Sequence, residues 1–378
     1  MKIFIFTEFY YPNLLSSGYY LTKIAEHLSL NNDVTVITTG NSTFSTRNNV
    51  KIFRIKTKSF NKYNLFKRVL AFISISLSFY NYAKQLGIKK DDKVFCVTNP
   101  ALFIPVIALL KKKINFKLTI LVHDVFPENL VATNIISKIN PIYLLLLKIY
   151  NKSYGISNQV IVCGRDMKLL FENKLTNYSG IIKFIPNWAD TTLIYPKNSN
   201  TNKKLIFQYA GNIGRAQGIP NLIEAIVSAN SLNFKFHFYG KGPLLQKIVD
   251  LSFHNIIYKG TFERKDSNRF LNLCDIAIVT LEKKMLGLGV PSKTYNILSA
   301  GKPVFYIGDK DSEIAILVNK YNVGYTVEPE CKDKIIEGLN WFLNLSEQQI
   351  DVLKSNSRKL AIKYFSEEIV LPQYSELI

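Results

Sequence analysis

Short apolar strands alternate with amphipathic helices along almost the whole chain, and this alternation restricts the possible folds more than any other feature. The first strand, Lys2–Thr7, is followed by a loop rich in Tyr, Pro, Ser and Gly, and then by apolar residues at helical spacing up to Leu28. Asp33–Thr38 is the next strand, which completes a strand–helix–strand unit. Repeated units of this kind predict an α/β protein whose parallel sheets are covered by helices on both faces.

The alternation restarts after a polar segment, and this restart predicts two domains. Asn198–Lys203 is the expected linker, and a second series of strands and helices begins at Leu205. We expect residues 1–190 and residues 191–365 each to form a Rossmann-like, doubly wound domain. Residues 366–378 are expected to form a C-terminal tail that packs back on the first domain. A chain of 378 residues is long enough for two domains with separate cores.

The charge of the chain is strongly positive and uneven. The formal net charge is +20, of which residues 1–190 carry +15, concentrated in Lys51–Arg68 and Lys111–Lys113. Such a field attracts nucleic acid, an anionic membrane face or phosphorylated substrates, and a solvated surface without a partner is the alternative. The apolar runs are shorter than the roughly 20 residues of a membrane span, and the N-terminus lacks a signal-peptide pattern. We therefore expect a cytoplasmic protein.

The cysteines and the acidic pairs do not indicate a metal site. The chain has four cysteines that are far apart, which favours buried, reduced thiols. Asp309 and Asp311 form an Asp-x-Asp sequence, but Lys310 between them weakens any cation site. We expect neither a metal nor a cofactor.

A loop with two glycines in the second half is a candidate for binding phosphate. Gly211 and Gly214 follow a strand and allow the backbone to approach a ligand, and the start of the next helix would offer free N–H groups. Arg215 adds a charge with bidentate geometry. Because a Gly-x-x-Gly sequence is common, an ordinary tight turn remains the alternative.

A second glycine loop, Gly287–Lys293, is more specific. Gly289 is followed by Pro291, which is suited to the first position of a helix. The Ser292 hydroxyl and the Lys293 ammonium would then lie at the positive end of that helix, and Asn296 is one turn further along. Together the two loops predict a clamp on the two phosphates of a nucleotide diphosphate, with Asn296 within reach of a sugar or ribose hydroxyl.

In the first half, polar residues follow two predicted strands at their carboxyl ends, where open α/β sheets hold ligands. His123 and Asp124 follow the strand Leu118–Val122, and Glu8 follows the first strand. His123 is a candidate contact to a sugar hydroxyl or phosphate, and Asp124 or Glu128 is a candidate to polarise an acceptor hydroxyl. The alternative is structural: His123 bonded to a backbone carbonyl and Asp124 capping a helix.

Taken together, these segments resemble family 4 of the retaining glycosyltransferases. The resemblance extends over most of the chain and rests on Phe9–Leu30, His123–Leu130, Ile185–Asp190, Gly211–Gly218, Tyr239–Pro243 and Gly287–Pro303. It implies the GT-B fold, in which two Rossmann-like domains face an inter-domain cleft. The Asn-x-Gly-x-x-Gln-Gly and Pro-Ser-Lys sequences are similar to those of a bacterial subgroup that builds surface polysaccharides such as O-antigen and capsule.

The resemblance implies a nucleotide-sugar donor, no metal and retention of anomeric configuration. The implied donor-binding residues are Gly211, Asn212, Gly214, Arg215, Gln217, Gly240, Gly289, Pro291, Ser292, Lys293 and Asn296. The implied catalytic residues are His123, Asp124 and Glu128, and the implied acceptor-side residues are Glu8, Ser17 and Gly18.

This chain also departs from the family pattern. The two usual carboxylates of the second loop fall at Leu286 and Asn296, and the usual Arg and Lys of the first loop fall at Asn212 and Gln217. The charge of the phosphates must then be met by Arg215 and Lys293.

The expected reaction is transfer from a nucleotide-diphosphate sugar, with a UDP-sugar favoured, to a lipid-diphosphate-linked saccharide. The positive first domain and the helix Asn64–Gln85 predict peripheral binding to the anionic inner face of the cell membrane. Two alternatives stay open: a sugar-nucleotide epimerase of the same architecture, and a basic nucleic-acid-binding protein. The second is disfavoured because the aromatic residues follow core spacing and are not interleaved with the basic stripe.

Overall fold

The computed structural model describes residues 1–14, 17–41, 43–56, 65–197, 204–229, 233–251 and 253–378, with only the backbone of residues 65 and 66. The expected linker Asn198–Lys203 lies outside the described residues, as do residues 57–64 of the basic stretch. The chain forms two compact units. Unit 1 comprises Met1–Pro186, Gly287–Gly289 and Leu371–Ile378, and unit 2 comprises Asn187–Leu286 and Val290–Val370.

Strands are numbered along the whole chain. Those of unit 1 are β1 (Lys2–Phe6), β2 (Asp33–Gly40), β3 (Thr43–Arg47), β4 (Val50–Lys56), β5 (Lys93–Val97), β6 (Lys117–Val122), β7 (Gln159–Val162) and β8 (Ile181–Phe184). Those of unit 2 are β9 (Leu205–Asn212), β10 (Phe234–Lys241), β11 (Ile256–Tyr258), β12 (Ile276–Thr280), β13 (Val304–Ile307) and β14 (Gly324–Val327).

The α-helices are numbered in the same way. Unit 1 contains α1 (Ser17–Leu28), α2 (Leu65–Gln85), α3 (Phe103–Ile114), α4 (Glu128–Ala132), α5 (Pro141–Ile156), α6 (Arg165–Lys174) and the last helix, α15 (Pro372–Leu377). Unit 2 contains α7 (Ile219–Ser228), α8 (Gln246–Val249), α9 (Ser267–Leu271), α10 (Lys293–Ser299), α11 (Glu313–Tyr321), α12 (Lys332–Leu343), α13 (Glu347–Tyr364) and α14 (Glu367–Val370). Among the described helices, none is both long and apolar enough to cross a membrane.

The sheet of unit 1 has the strand order β3-β4-β2-β1-β5-β6-β7-β8. The chain leaves β1 in one direction, towards β2, and later continues from β5 in the other direction. The strand order therefore reverses between β1 and β5, and open parallel sheets bind their ligands outside the carboxyl ends of strands at such a point. Glu8 follows β1, and Thr98 follows β5. The register places β6, and hence His123, next to β5.

One strand of unit 1 was not predicted from the sequence. β3 pairs antiparallel with β4 at the edge of the sheet, with Phe44 opposite Phe53 and their ring centroids 4.8 Å apart. The hairpin turns at Asn48 and Asn49, which both adopt positive φ angles of 44° and 63°. Asparagine tolerates this left-handed conformation, which tight hairpin turns require. The sequence pattern predicted the parallel strands of this sheet and did not predict this antiparallel edge strand.

The sheet of unit 2 is fully parallel, with the strand order β11-β10-β9-β12-β13-β14. Successive strands extend outwards from β9 on one side and from β12 on the other, so the order reverses between these two neighbours. The core beneath includes Phe207, Phe305 and Phe342, whose rings lie edge to face or tilted against one another. This core fixes the carboxyl ends of β9 and β12, which bound the crevice of the unit.

The end of the chain belongs to unit 1. Tyr374 of α15 is 2% exposed and packs its ring on Phe95 of β5, with the centroids 6.4 Å apart. The amide of Gln159 donates a hydrogen bond of 3.0 Å to the carbonyl of Leu377. α15 therefore closes the core of unit 1 although nearly two hundred residues separate it from β8.

Replacing Tyr374 by alanine should destabilise the protein by about 3 kcal/mol, because a large buried ring is lost and a cavity remains. The midpoint of urea unfolding measures this loss. Ser375→Ala is the matched control, since Ser375 is an exposed neighbour on the same helix. Equal midpoints for the two variants would show that α15 contributes little to the core.

Candidate functional site

The ammonium group of Lys293 is the most unusual group in unit 2. Its Nζ is enclosed by protein, has no hydrogen-bond partner within the described part of the chain, and lies 3.9 Å from the centroid of the Tyr209 ring. Burial lowers the pKa of Lys293 to about 7. A cation that has lost its water without gaining an anion is costly, and the aromatic face compensates only in part. Among the described residues, this amine, which is charged below about pH 7, therefore has no anionic partner.

The glycines around this lysine allow the backbone to come close. A Cβ atom on Gly211 would lie 3.3 Å from Lys293 Nζ, so a side chain there would crowd the ammonium. Gly240 has a different role: a Cβ atom there would lie only 1.8 Å from the carbonyl oxygen of Gly211. Gly240 is thus required for the close approach of β10 to β9. Of these two predicted donor-binding glycines, only Gly211 borders the ammonium.

A short 3-10 turn separates the first glycine loop from the helix that follows it. Arg215 begins a 3-10 turn, Arg215–Gln217, and α7 begins only at Ile219. Gly218 takes a left-handed conformation (φ 58°) between the turn and the helix. Arg215 is exposed. Its side chain is available to an anion, whereas the dipole of α7 starts further along the chain.

Polar contacts hold this loop in place. The Tyr209 hydroxyl donates to the carbonyl of Asn212 at 2.6 Å, which fixes the ring beneath Lys293. The amide of Asn212 donates to the Gln217 side chain at 3.4 Å. A Cβ atom on Gly214 would come within 2.6 Å of that Asn212 amide. Asn212, Gly214 and Gln217 therefore support one another, and Tyr209 belongs to the site although the sequence pattern did not indicate it.

The second loop leads into α10, which has seven residues. Ser292 occupies the N-cap position without a capping hydrogen bond from its side chain, and the Pro291 carbonyl accepts from the Thr294 N–H at 3.1 Å. One turn along, Oδ1 of Asn296 is buried and has no hydrogen-bond partner among the described residues. Such an acceptor is costly unless a ligand satisfies it. Asn296 and Lys293 are therefore among the buried polar groups of this short helix that have no hydrogen-bond partner in the described structure.

The glycines that precede α10 cluster with unit 1. The Gly287 N–H donates to the Asp166 carboxylate at 3.2 Å, and the Val125 N–H donates to the Leu288 carbonyl at 2.9 Å. Gly289 pairs with Asp124 in an isolated antiparallel bridge, and a Cβ atom on Gly289 would lie 3.1 Å from Asp124 Oδ1. Gly287–Gly289 belongs to unit 1 and Val290–Lys293 to unit 2.

At the carboxyl edge of the sheet of unit 1, Thr98 holds the backbone of His123 and Asp124, two of the predicted catalytic residues. Its hydroxyl accepts hydrogen bonds from the backbone N–H groups of His123 at 3.2 Å and Asp124 at 3.4 Å. Burial lowers the pKa of His123 to about 4, so its imidazole is neutral at pH 7 and offers one donor and one acceptor. Desolvation raises the pKa of Asp124, and the charge of Arg68 opposes this shift.

Glu8 lies at the same switch point. Burial raises its pKa to about 7, which Arg68 partly opposes, and its Oε2 is buried without a hydrogen-bond partner in the described structure. The hydroxyls of Thr38 and Thr39 donate to its backbone carbonyl and fix the loop. Because Arg68 acts on both Glu8 and Asp124, the three charged groups are close to one another. Sequence reasoning assigned Arg68 only to a basic stretch, and nothing in its spacing indicated these carboxylates.

Glu128, the third predicted catalytic residue, forms an ion pair with Lys174. Its Oε1 accepts from Lys174 Nζ at 2.5 Å, and that lysine also lies over the rings of Tyr154 and Phe171. The pair is largely buried, with side-chain exposures of 7% for Lys174 and 17% for Glu128. One oxygen of Glu128 is therefore occupied in a structural ion pair.

Ser17 and Gly18 open α1. A Cβ atom on Gly18 would lie 2.1 Å from the carbonyl oxygen of Asn13, so the preceding loop packs directly on this residue. The carbonyl of Gly18 accepts from the Thr22 hydroxyl at 2.7 Å. Gly18 thus shapes the loop through packing, and the structure shows no unsatisfied polar group at this position.

Lys293→Met should stabilise the protein near pH 7 by on the order of 2 kcal/mol, because the variant does not bury a cation. The folded lysine releases its proton near pH 7, whereas the unfolded one keeps it up to about pH 10.5. The unfolded state then binds more protons between these values, so wild-type stability rises with pH relative to the variant. The difference in unfolding free energy should shrink towards pH 10. Lys247→Met changes an exposed lysine and should show no such trend with pH. A difference in unfolding free energy between wild type and Lys293→Met that stays constant with pH would contradict the burial of the Lys293 ammonium.

This chain is similar in sequence to known glycosyltransferases. The family model described as "Glycosyl transferases group 1" matches residues 190–360. The probable glycosyltransferase WbjE of Pseudomonas aeruginosa is 30% identical over 394 aligned residues, which cover 100% of this chain and 97% of WbjE. The putative colanic acid biosynthesis glycosyl transferase WcaI of Escherichia coli strain K12 is 24% identical over 50% of each chain.

Solved structures show the same fold at low sequence identity. Sucrose-phosphate synthase from Thermosynechococcus elongatus superimposes with a TM-score of 0.78 at 15% identity, covering 100% of this chain and 98% of its own. Anabaena HepE in complex with UDP gives 0.68 at 15% identity, with coverages of 100% and 99%. The two sheets thus have the GT-B fold, as the sequence predicted. Since WbjE matches along the full length, this chain belongs to the group 1 glycosyl transferases.

Proposed function

We propose that this glycosyltransferase moves a sugar from a nucleotide-diphosphate donor to a lipid-diphosphate-linked saccharide during synthesis of a surface polysaccharide. The unsatisfied ammonium of Lys293, beside Gly211 at the carboxyl end of β9, is the observation that carries the donor assignment. The relative named for colanic acid biosynthesis supports the surface-polysaccharide role. HepE, which was solved with UDP, supports the choice of a UDP-sugar.

Lys293 supplies the charge that the leaving diphosphate needs. Its buried Nζ has no hydrogen-bond partner among the described residues, so a diphosphate at the site would offset the unfavourable burial of the ammonium. Exposed Arg215 adds a second cation with bidentate geometry. A fixed positive group directed at the developing charge lowers the barrier, since it needs little reorganisation during the reaction. This arrangement requires no metal ion.

The unsatisfied Oδ1 of Asn296 accepts a hydrogen bond from a hydroxyl of the donor. It stands where related enzymes have a carboxylate, and an amide oxygen accepts a ribose or sugar hydroxyl without adding negative charge. A neutral acceptor is also compatible with the nearby Lys293, because it leaves the positive charge available to the phosphates. Gly211, Gly214, Pro291 and Ser292 shape the loops around these two groups.

On unit 1, neutral His123 contacts the donor sugar and Asp124 orients the acceptor hydroxyl. Glu8 and Arg68 lie near Asp124, so the acceptor side combines carboxylates with a balancing cation. Glu8, Ser17 and Gly18 line the acceptor side. We assign retention of anomeric configuration to attack on the face from which the diphosphate leaves. The acceptor oxygen forms the new bond to the anomeric carbon as the bond to the phosphate oxygen breaks, and that oxygen takes the acceptor proton.

Mass spectrometry of products tests the reaction directly. The full-length protein should convert one UDP-sugar and a lipid-diphosphate-linked saccharide into an extended acceptor and UDP, with the donor configuration retained by NMR. Incubation with the donor alone is the control. A new nucleotide sugar formed without acceptor would instead show an epimerase.

Lys293→Met should lower kcat/KM by about 10²-fold, which corresponds to roughly 2.7 kcal/mol of lost transition-state stabilisation. Steady-state kinetics with the natural donor measures this, and Lys247→Met is the matched exposed control. A Lys293→Met variant with near-normal kcat/KM would remove the lysine from the diphosphate site.

The variants Asp124→Asn and Glu128→Gln should show which of the two candidate carboxylates acts on the acceptor. Asp124→Asn should lower kcat by about 10²-fold, because the acceptor hydroxyl loses its charged partner. Glu128→Gln should keep most of kcat and lose about 1–3 kcal/mol of stability, because it leaves Lys174 buried without its counter-charge. The reverse result, an inactive but stable Glu128→Gln variant, would make Glu128 the acceptor residue.

A further inference from the structure

The helices α2, α3 and α5 form one continuous layer on unit 1. Each connects two parallel strands in the same direction across the sheet: α2 leads from β4 past β2 and β1 to β5, α3 leads from β5 to its neighbour β6, and α5 leads from β6 to its neighbour β7. Because such crossovers are right-handed, all three helices cover the same face. α3 packs against both α2 and α5 and therefore lies between them.

The outward side of this layer is apolar to an unusual degree. Large apolar side chains are exposed on all three helices: Val69, Leu70, Ile73 and Leu77 on α2, Leu109 on α3, and Ile142, Leu144, Leu145 and Ile149 on α5. Ile139, in the loop that leads into α5, is 84% exposed. On α2 these residues recur at helical spacing, so they form one stripe directed to solvent. Contiguous exposed apolar surface of this kind marks an interaction site.

The charged side chains on these three helices have a single sign. The sequences of α2, α3 and α5 contain no aspartate or glutamate. Exposed lysines flank the apolar residues on each helix: Lys67 and Lys84 on α2, Lys112 and Lys113 on α3, and Lys148 and Lys152 on α5. Glu128 precedes α5 in sequence, but its charge is paired with Lys174.

We propose that the outward side of α2, α3 and α5, here called the three-helix face, docks on the surface of an anionic lipid bilayer. Exposed Leu and Ile side chains would insert between lipids, and the flanking lysines would lie at the anionic headgroups. A second copy of the chain fits this face poorly, because a two-fold interface would place lysines against lysines with no carboxylate between them. The inference rests on the proposed function in that the acceptor is carried on a lipid.

Flotation of the full-length protein with vesicles tests the three-helix face. Wild type should bind vesicles of equal parts phosphatidylcholine and phosphatidylglycerol, and bind phosphatidylcholine alone at least about tenfold more weakly. The double variant I142S/L145S should lower the bound-to-free ratio on the anionic vesicles by about tenfold. The matched control is V352S/I362S, which changes two apolar residues of similar exposure on α13 of unit 2.

Several results would overturn the inference: no binding of wild type to anionic vesicles, equal binding by I142S/L145S, or an equal loss in V352S/I362S. A wild-type dimer that I142S/L145S dissociates, measured by sedimentation equilibrium without lipid, would assign the face to a second copy. The increase in Tm on adding UDP should be the same in wild type and both variants. Vesicle binding without any sugar transfer would contradict the proposed reaction and leave the docking face standing.

Discussion

The contact between the Lys293 ammonium and the Tyr209 ring is the interaction on which the account of the donor site depends. It buries the amine without a hydrogen-bond partner among the described residues, and burial accordingly lowers its pKa to about 7. The arrangement depends on the parallel register of β9 and β10, since Gly240 allows the backbone of β10 to pass Gly211 closely. The core of unit 2 thus stabilises a local arrangement that would be unfavourable by itself, as is common at binding sites.

Unit 1 also buries an ionisable group without a hydrogen-bond partner among the described residues, in this case a carboxyl group. Glu8 keeps a buried oxygen without a partner, and its pKa rises to about 7 because of burial. Thr98 holds the backbone of His123 and Asp124 at the carboxyl edge of the sheet, and Arg68 moderates the two carboxylates. Glu8, His123 and Asp124 thus all have perturbed pKa values and all follow the carboxyl ends of strands of this sheet. Clusters of this kind indicate function more strongly than any single residue does.

Local patterns in the sequence predicted the strands and helices well, because buried parallel strands and amphipathic helices each have a distinct period. The polar hairpin strand β3 was missed, although Asn48-Asn49 is a turn signal that could have revealed it. Features that depend on contacts distant in sequence could not be predicted. Lys174 pairs with Glu128 across 46 residues, and Asp166 holds Gly287 across 121. Neither contact produces a periodic pattern in the amino-acid sequence.

A structure of the full-length protein with UDP tests the central claim most directly. The account predicts that Lys293 Nζ lies within hydrogen-bonding distance, about 2.7–3.2 Å, of a diphosphate oxygen. It also predicts that Nζ has moved away from the centroid of the Tyr209 ring, where it lies 3.9 Å away in the free protein. A diphosphate bound elsewhere, with Nζ still on the ring, would contradict it.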